Sequence, residues 1–206
     1  MVDVTLCLLE ACKAELTELK ECLSLGEQRR ASAFRREEDR NVYIMTHALL
    51  RQRLASICKC LPQELEFMNS AYGKPFLADY PALHFSLSHT DGAGVVAKAD
   101  RVVGVDIERI RNFAGLDELA AEVFEPAEAN RLQVLTGERL TASFFEQWTK
   151  KEAILKAAGT GFAVESRCLL PVADGIARLE QLGRESYWEV KCQRVGEFVW
   201  SVALQI

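Results

Sequence analysis

Two groups of side chains in this sequence have the types and spacing to act together. Gly104-Val105-Asp106-Ile107-Glu108 places two carboxylates two residues apart. On a strand they share one face and Ile107 takes the other. Two acids on one face repel unless a proton or a cation sits between them. Hard divalent cations prefer oxygen ligands, and Mg²⁺ takes one or two carboxylates and completes its octahedron with water and phosphate oxygens. Alone, Asp-x-Glu is more simply the solvated end of a strand. The second group is Trp148-Thr149-Lys150-Lys151-Glu152-Ala153, followed by Lys156. On a helix Trp148, Glu152 and Lys156 fall along one slowly drifting stripe, where an acid and a base could hold a metal and an anionic substrate together. By spacing alone, Glu152 and Lys156 also make an ordinary surface ion pair and Trp148 plain core.

The elements that must position these groups follow from periodicity. Val2, Val4, Leu6 and Leu8 alternate as in a strand. Residues 11–35 read as helical with an interruption near Gly26. Residues 38–58 form a long helix, with Val42, Met45, Leu49, Leu50, Leu54 and Ile57 on one buried face, closed by Pro62. A strand at Leu65-Glu66-Phe67-Met68 and a turn at 71–75 precede strands His84–Ser88, Gly94–Ala99 and Val102–Glu108, read as one antiparallel meander. Helices follow at 116–123, at 126–135 with Pro126 in its first turn, and from Thr141 to Ala158 with Gly159 as its cap. Strands close the chain near 167–172, 187–194 and 198–205. Helices then strands, twice over, predict an α+β fold of two similar lobes, 1–105 and 106–206, joined near 106–113.

The 206 residues suit one large domain or two small lobes sharing a core. Hydrophobic residues at 49% and charged residues at 27% suffice to bury a core, which excludes a disordered chain. The net charge of -5 argues against a broad nucleic-acid-binding face, so any phosphate must be met by a local cluster of Lys, Arg, His or metal. The first ten residues lack a basic segment and their apolar run stops at Glu10, unlike a signal peptide. No stretch approaches the roughly 18 apolar residues of a membrane span, so a cytoplasmic protein is expected. Seven cysteines without repeated spacing are expected to be reduced thiols, and Cys58-x-Cys60 has no second pair to complete a metal site.

The two groups, in this order and about forty residues apart, resemble the signature pair of 4'-phosphopantetheinyl transferases, above all the monomeric, double-lobed surfactin type. Tyr72-Gly73-Lys74-Pro75 and His84-Phe85-Ser86-Leu87-Ser88-His89-Thr90 resemble two further motifs of that family in the right order. The resemblance runs from about Phe34 to Phe162. It implies two lobes related by pseudo-two-fold symmetry, each a small antiparallel sheet with packed helices, and one active site in the cleft they share. It also implies an enzyme that transfers the 4'-phosphopantetheine group of coenzyme A to a serine of an apo acyl or peptidyl carrier protein, releasing 3',5'-ADP.

Carried over residue by residue, the resemblance makes Asp106, Glu108 and Glu152 the ligands of a Mg²⁺ ion that offsets charge on the pyrophosphate. Glu152 is the candidate general base toward the serine, and Lys156 would stabilise the pyrophosphate or leaving group. Lys74, presented by a tight turn, and Ser88 with His89, at a strand end, would meet the phosphates of coenzyme A. His89 by itself reads as a structural histidine. Phe34 to Arg40 and Ala48 to Arg51 also resemble the family, with one departure. Val42 stands where relatives often carry a basic residue, so Arg40 or Arg30 would have to supply that contact. Arg51 is either a further contact or a core-flanking helix residue. Phe113, Leu116, Leu119, Val123 and Phe124 are either a surface for a carrier helix or ordinary packing, and Arg109, Arg111 and Arg131 could help dock an acidic carrier. Two other readings stay open on the residues themselves: a Mg²⁺-dependent pyrophosphatase that uses water, and a carrier-binding module without catalysis.

Overall fold

The structure is a computed structural model that describes residues 1–161, 166–170 and 175–206. It is α+β and divides into two compact units, Met1–Arg101 and Val102–Ile206.

The first unit opens with β1 (Asp3–Leu8), α1 (Leu9–Cys12), a 3-10 turn and α2 (Leu16–Glu21). The helical run breaks near Gly26, at residues 22–24, and Gly26 itself lies in the first turn of α3 (Leu25–Ser32). The reason is a capping box. The Ser24 hydroxyl accepts from the Glu27 backbone N–H, and the Glu27 carboxylate accepts in return from the Ser24 N–H. Next comes α4 (Glu37–Cys58), which ends where Lys59 turns left-handed, before Pro62. Its buried side is wider than one stripe and includes Tyr43, Ile44, Ala48 and Arg51, whereas Ile57 is exposed. The strand expected at 65–68 shrinks to β2 (Met68–Asn69), which pairs with β3 (Pro75–Phe76) across the Lys74 turn. Leu65 remains a core residue outside any strand.

β4 (His84–Thr90) and β5 (Ala93–Ala99) pair antiparallel, and β1 takes the other edge of β5, with Leu6 opposite Val95. Both edges of β5 are therefore filled. The meander expected to continue into the next strand stops here. α4 covers this sheet, burying Leu50 and Leu54 against Phe85 and Val96. One close approach makes the fit possible: a Cβ at Gly94 would lie 2.0 Å from the Thr46 hydroxyl of α4.

The strand with the two acids, β6 (Val103–Arg109), belongs wholly to the second unit, which thus begins a few residues before the expected boundary. Then follow α5 (Leu116–Val123), α6 (Pro126–Gln133) and the 22-residue α7 (Gly137–Ala158), capped by left-handed Gly159. β7 (Ser166–Leu169), β8 (Gly175–Gln181), β9 (Arg184–Val195) and β10 (Phe198–Gln205) complete an antiparallel sheet in the order β6-β10-β9-β8-β7. The sequence reading omits β8. Its Ala177 and Leu179 point to the core, but Ile176 is exposed on the opposite face and blurs the alternation. Residues 171–172 of the expected strand, and Phe162, lie outside the described residues.

α7 lies along this sheet, burying Ile154, Leu155 and Ala157 against Leu179, Trp188, Val190 and Ala203. At its N-terminal end Phe144 and Phe145 pack with Leu116, Phe124 and Leu132 from α5, α6 and the turn between them. Among the described residues no helix is long and apolar enough to cross a membrane. Among the described residues no cysteine is joined in a disulfide.

Candidate active site

The acids of β6 and the stripe of α7 meet because the two backbones touch. A Cβ at Gly104 would lie 2.0 Å from the Ala153 carbonyl oxygen and 2.4 Å from the Ala157 nitrogen. Backbone atoms cannot swing aside, so only glycine fits. Two residues on, Asp106 faces the same side of the sheet as its cross-strand neighbour Ser201. The Ser201 hydroxyl is 2.8 Å from that of Thr149 on α7, which seats the helix on the sheet.

Asp106 is buried, and the Lys156 ammonium donates to its Oδ1 at 2.6 Å. The stripe of Lys156 thus faces the acids of β6. Glu152, one turn earlier, has a buried Oε1 with no hydrogen-bond partner among the described residues. Burial, and next the charge of Asp106, push the Glu152 carboxyl up; Lys156 pulls it down and Glu108 adds to the rise. It stands at about 7. Trp148 stacks on Phe144, with ring planes 8° apart, and belongs to the core.

Among the described residues no three His, Cys, Asp or Glu side chains are gathered tightly enough to hold a metal as they stand. The donor set nevertheless suits a hard cation: three carboxylates near enough for two of them to shift the third, one with a buried oxygen to fill. Like charges this near favour a proton or a cation among them.

In the first unit, Lys74 follows the β2–β3 turn. Burial holds its ammonium down at about 8. Burial, then the charge of Lys74, lower His84. Ser88 is buried on β4 while His89 is exposed near its end. Gly73, Pro75 and Leu87, the chain neighbours of Lys74 and Ser88, line an open cleft of about 800 Å³. Its other walls include Arg30, Tyr43, His47, Arg51 and Phe67.

Arg51 is settled by its bonds. It is 2% exposed and donates to Glu27 at 2.5 Å and to the carbonyls of Pro62 and Leu65 at 2.7 and 3.1 Å. It is a core-flanking residue that ties α4 to α3 and to the segment before β2. Burial would raise the Glu27 carboxyl, but hydrogen bonds from His47, Arg51 and the Ser24 backbone hold it at about 2. The sequence reading passes over this hub. Its signal is present: Ser24-x-x-Glu27 is a capping box, and its acid is free to take further partners. Arg40 pairs with Glu37 at 3.2 Å, whereas Arg30 lies over the Tyr43 ring on the cleft wall. Leu116 and Phe124 are buried packing residues; Phe113 is partly exposed and meets Phe144 and Phe145 edge-on. Arg109 pairs with Glu197.

Comparison with known proteins places the chain in a family. The profile described as the 4'-phosphopantetheinyl transferase superfamily matches residues 102–203, and the one described as 4'-phosphopantetheinyl transferase, N-terminal, matches residues 10–101. The 4'-phosphopantetheinyl transferase HetI of Nostoc sp. is 33% identical over 174 residues, 82% of this chain and 68% of HetI. The chain belongs to the 4'-phosphopantetheinyl transferase superfamily. The transferase is also 30% identical to a 4'-phosphopantetheinyl transferase of Bacillus subtilis, over 80% of this chain and 75% of the relative. With 4'-phosphopantetheinyl transferase Sfp of the same species it shares 26% identity, over 80% and 70%. The superfamily profile covers the unit that carries Asp106, Glu108, Glu152 and Lys156, and the N-terminal one covers the unit of Lys74, Ser88 and His89.

Proposed function

We propose that this transferase moves the 4'-phosphopantetheine group of coenzyme A to a serine of an apo acyl or peptidyl carrier protein, releases 3',5'-ADP, and needs Mg²⁺. We place it in the surfactin type, working as a monomer. The observation that carries this reading is the meeting of Asp106, Glu152 and Lys156 in one partly buried group, built by β6 and α7.

The serine Oγ forms a bond to the phosphorus attached to pantetheine as the bond from that phosphorus to the oxygen of 3',5'-ADP breaks. Glu152, gathered with Asp106 and Lys156 between β6 and α7, is the group that takes the serine proton in this reading. Lys156 adds positive charge beside the phosphates. A divalent cation held by Asp106, Glu108 and Glu152 supplies the further charge that phosphoryl transfer requires. In the first unit, burial makes the Lys74 ammonium costly to keep charged, and an anion beside it removes that cost. Lys74, Ser88 and His89 are the phosphate contacts in this reading. Arg30 stands in for the basic residue missing at Val42, which is buried.

The test is incubation with coenzyme A, Mg²⁺ and a panel of apo-carriers, each scored by mass. Mass gain on at least one carrier, with matching 3',5'-ADP, is the expected result. Release of 3',5'-ADP without any carrier would identify a water-using pyrophosphatase instead, and no gain on any carrier would remove the reading.

A further inference from the structure

We propose that Lys156 is the built-in counter-ion of the acidic group: it holds Asp106 until a divalent cation arrives, competes with that cation, and is released toward the substrate phosphates when displaced. The inference rests on the metal reading above. It begins with an asymmetry in one ion pair. The Asp106 side chain is 5% exposed and the Lys156 side chain 33%. A buried carboxylate without a partner is costly, and a 2.6 Å bond from an ammonium is a strong remedy.

The two partners differ in freedom. Asp106 sits on β6, with its backbone paired to β10 and pressed to α7 at Gly104. Lys156 carries its charge on a four-carbon stem with an outlet to solvent. The pair can therefore open only from the lysine side. The buried Oε1 of Glu152 on the same helix has no partner among the described residues, so the ammonium on Asp106 leaves that acceptor unfilled. A divalent ion between Asp106 and Glu152 would serve both acids and make the Lys156 charge superfluous there. Lys156 would then lie one turn from Glu152, near the new cation and repelled by it, and an incoming phosphate would be its natural partner.

The consequence has an unexpected sign. Lys156, expected to help the reaction, should weaken binding of the cation when no coenzyme A is present. Mn²⁺ titrations of the wild-type protein and of Lys156→Gln, without coenzyme A, test it. A charge-assisted bond lost on metal entry predicts Mn²⁺ binding about tenfold or more tighter in Lys156→Gln. Equal or weaker binding in the variant overturns the inference and leaves the metal reading standing. No saturable binding to either protein overturns both. A second measurement needs no variant to fold well. In wild-type protein labelled with ¹⁵N-lysine, the Lys156 ammonium signal should shift in saturable proportion to added Mg²⁺. A Lys156 signal indifferent to Mg²⁺ while the ion binds would refute the competition.

Discussion

Replacing Arg51 by Met keeps the stem of the side chain and deletes its guanidinium. Three hydrogen bonds go with it, to Glu27 and to the Pro62 and Leu65 carbonyls. The size of the loss can be reached by two routes. Removing one partner of a buried ion pair costs about 3–5 kcal/mol. Independently, a Glu27 carboxyl held at about 2 instead of about 4.5 corresponds to about 3 kcal/mol favouring the folded state at neutral pH. That second figure is shared with His47 and the Ser24 backbone and so only bounds the Arg51 part from above; urea unfolding at pH 7 should show Arg51→Met destabilised by about 3 kcal/mol. The pH dependence gives the sharper test. The folded-state value lies below the unfolded one, so the Glu27 contribution is complete above about 4.5 and is lost as pH falls through about 2. At pH 3 the gap between wild type and variant should therefore narrow by up to about 2 kcal/mol, the rest reflecting the two carbonyls. A loss under about 1 kcal/mol at pH 7, or a gap that stays constant down to pH 3, would show that the hub does not hold the fold as argued.

Asp106→Ala, Glu108→Ala and Glu152→Ala should each lower turnover by orders of magnitude with the fold retained; near-wild-type rates in two of the three would sink the assignment. Glu152→Gln should raise the melting temperature of the metal-free protein at pH 8 more than at pH 5, because the Glu152 carboxyl stands raised at about 7 and its ionised form burdens the folded state only as pH rises toward and past that value. Lys74→Ala and His89→Ala should weaken coenzyme A binding about ten- to a hundredfold by calorimetry, the worth of one charge-assisted contact each, and unchanged affinity in both would refute the phosphate role. Gly94→Ala should destabilise and be partly rescued by Thr46→Gly, since Thr46 is a side chain that can be removed. Gly104→Ala should find no such rescue, because its obstacle is the backbone of α7; equal rescue of both by trimming the facing residue would contradict this.

What could be read without coordinates was whatever repeats within a few residues. The long helices α4 and α7, the Pro126 start and the Gly159 stop follow from local pattern and cap chemistry. Strand partners are a different matter. Nothing local says that β1 fills the second edge of β5, or that β6 crosses to β10, so the expected meander ran one strand too far. β8 was missed because its apolar Ile176 faces outward. At the candidate site, the i to i+4 spacing put Glu152 and Lys156 on one stripe, but which acid the lysine would choose depends on how close α7 comes to β6. Gly104 sets that distance, and a glycine in a strand carries no sign of what presses against it. Arg51 could be read two ways until its three acceptors were in place.

The pairing of β6 with β10 also fixes when the acids become useful during synthesis. Asp106 lies opposite Ser201 and Glu108 opposite Val199, so the strand that steadies them is drawn from the far end of the unit. On the ribosome, β6 emerges long before its neighbour exists, and pairings between distant segments are slow to form. Through that interval the acids sit on a strand whose sheet neighbour, which sets their register, has not been made. A nascent chain halted before Phe198 would hold every acid of the candidate site and still lack the arrangement that brings Asp106 to Lys156. Activity should therefore switch on with the arrival of the last strand, not grow with chain length.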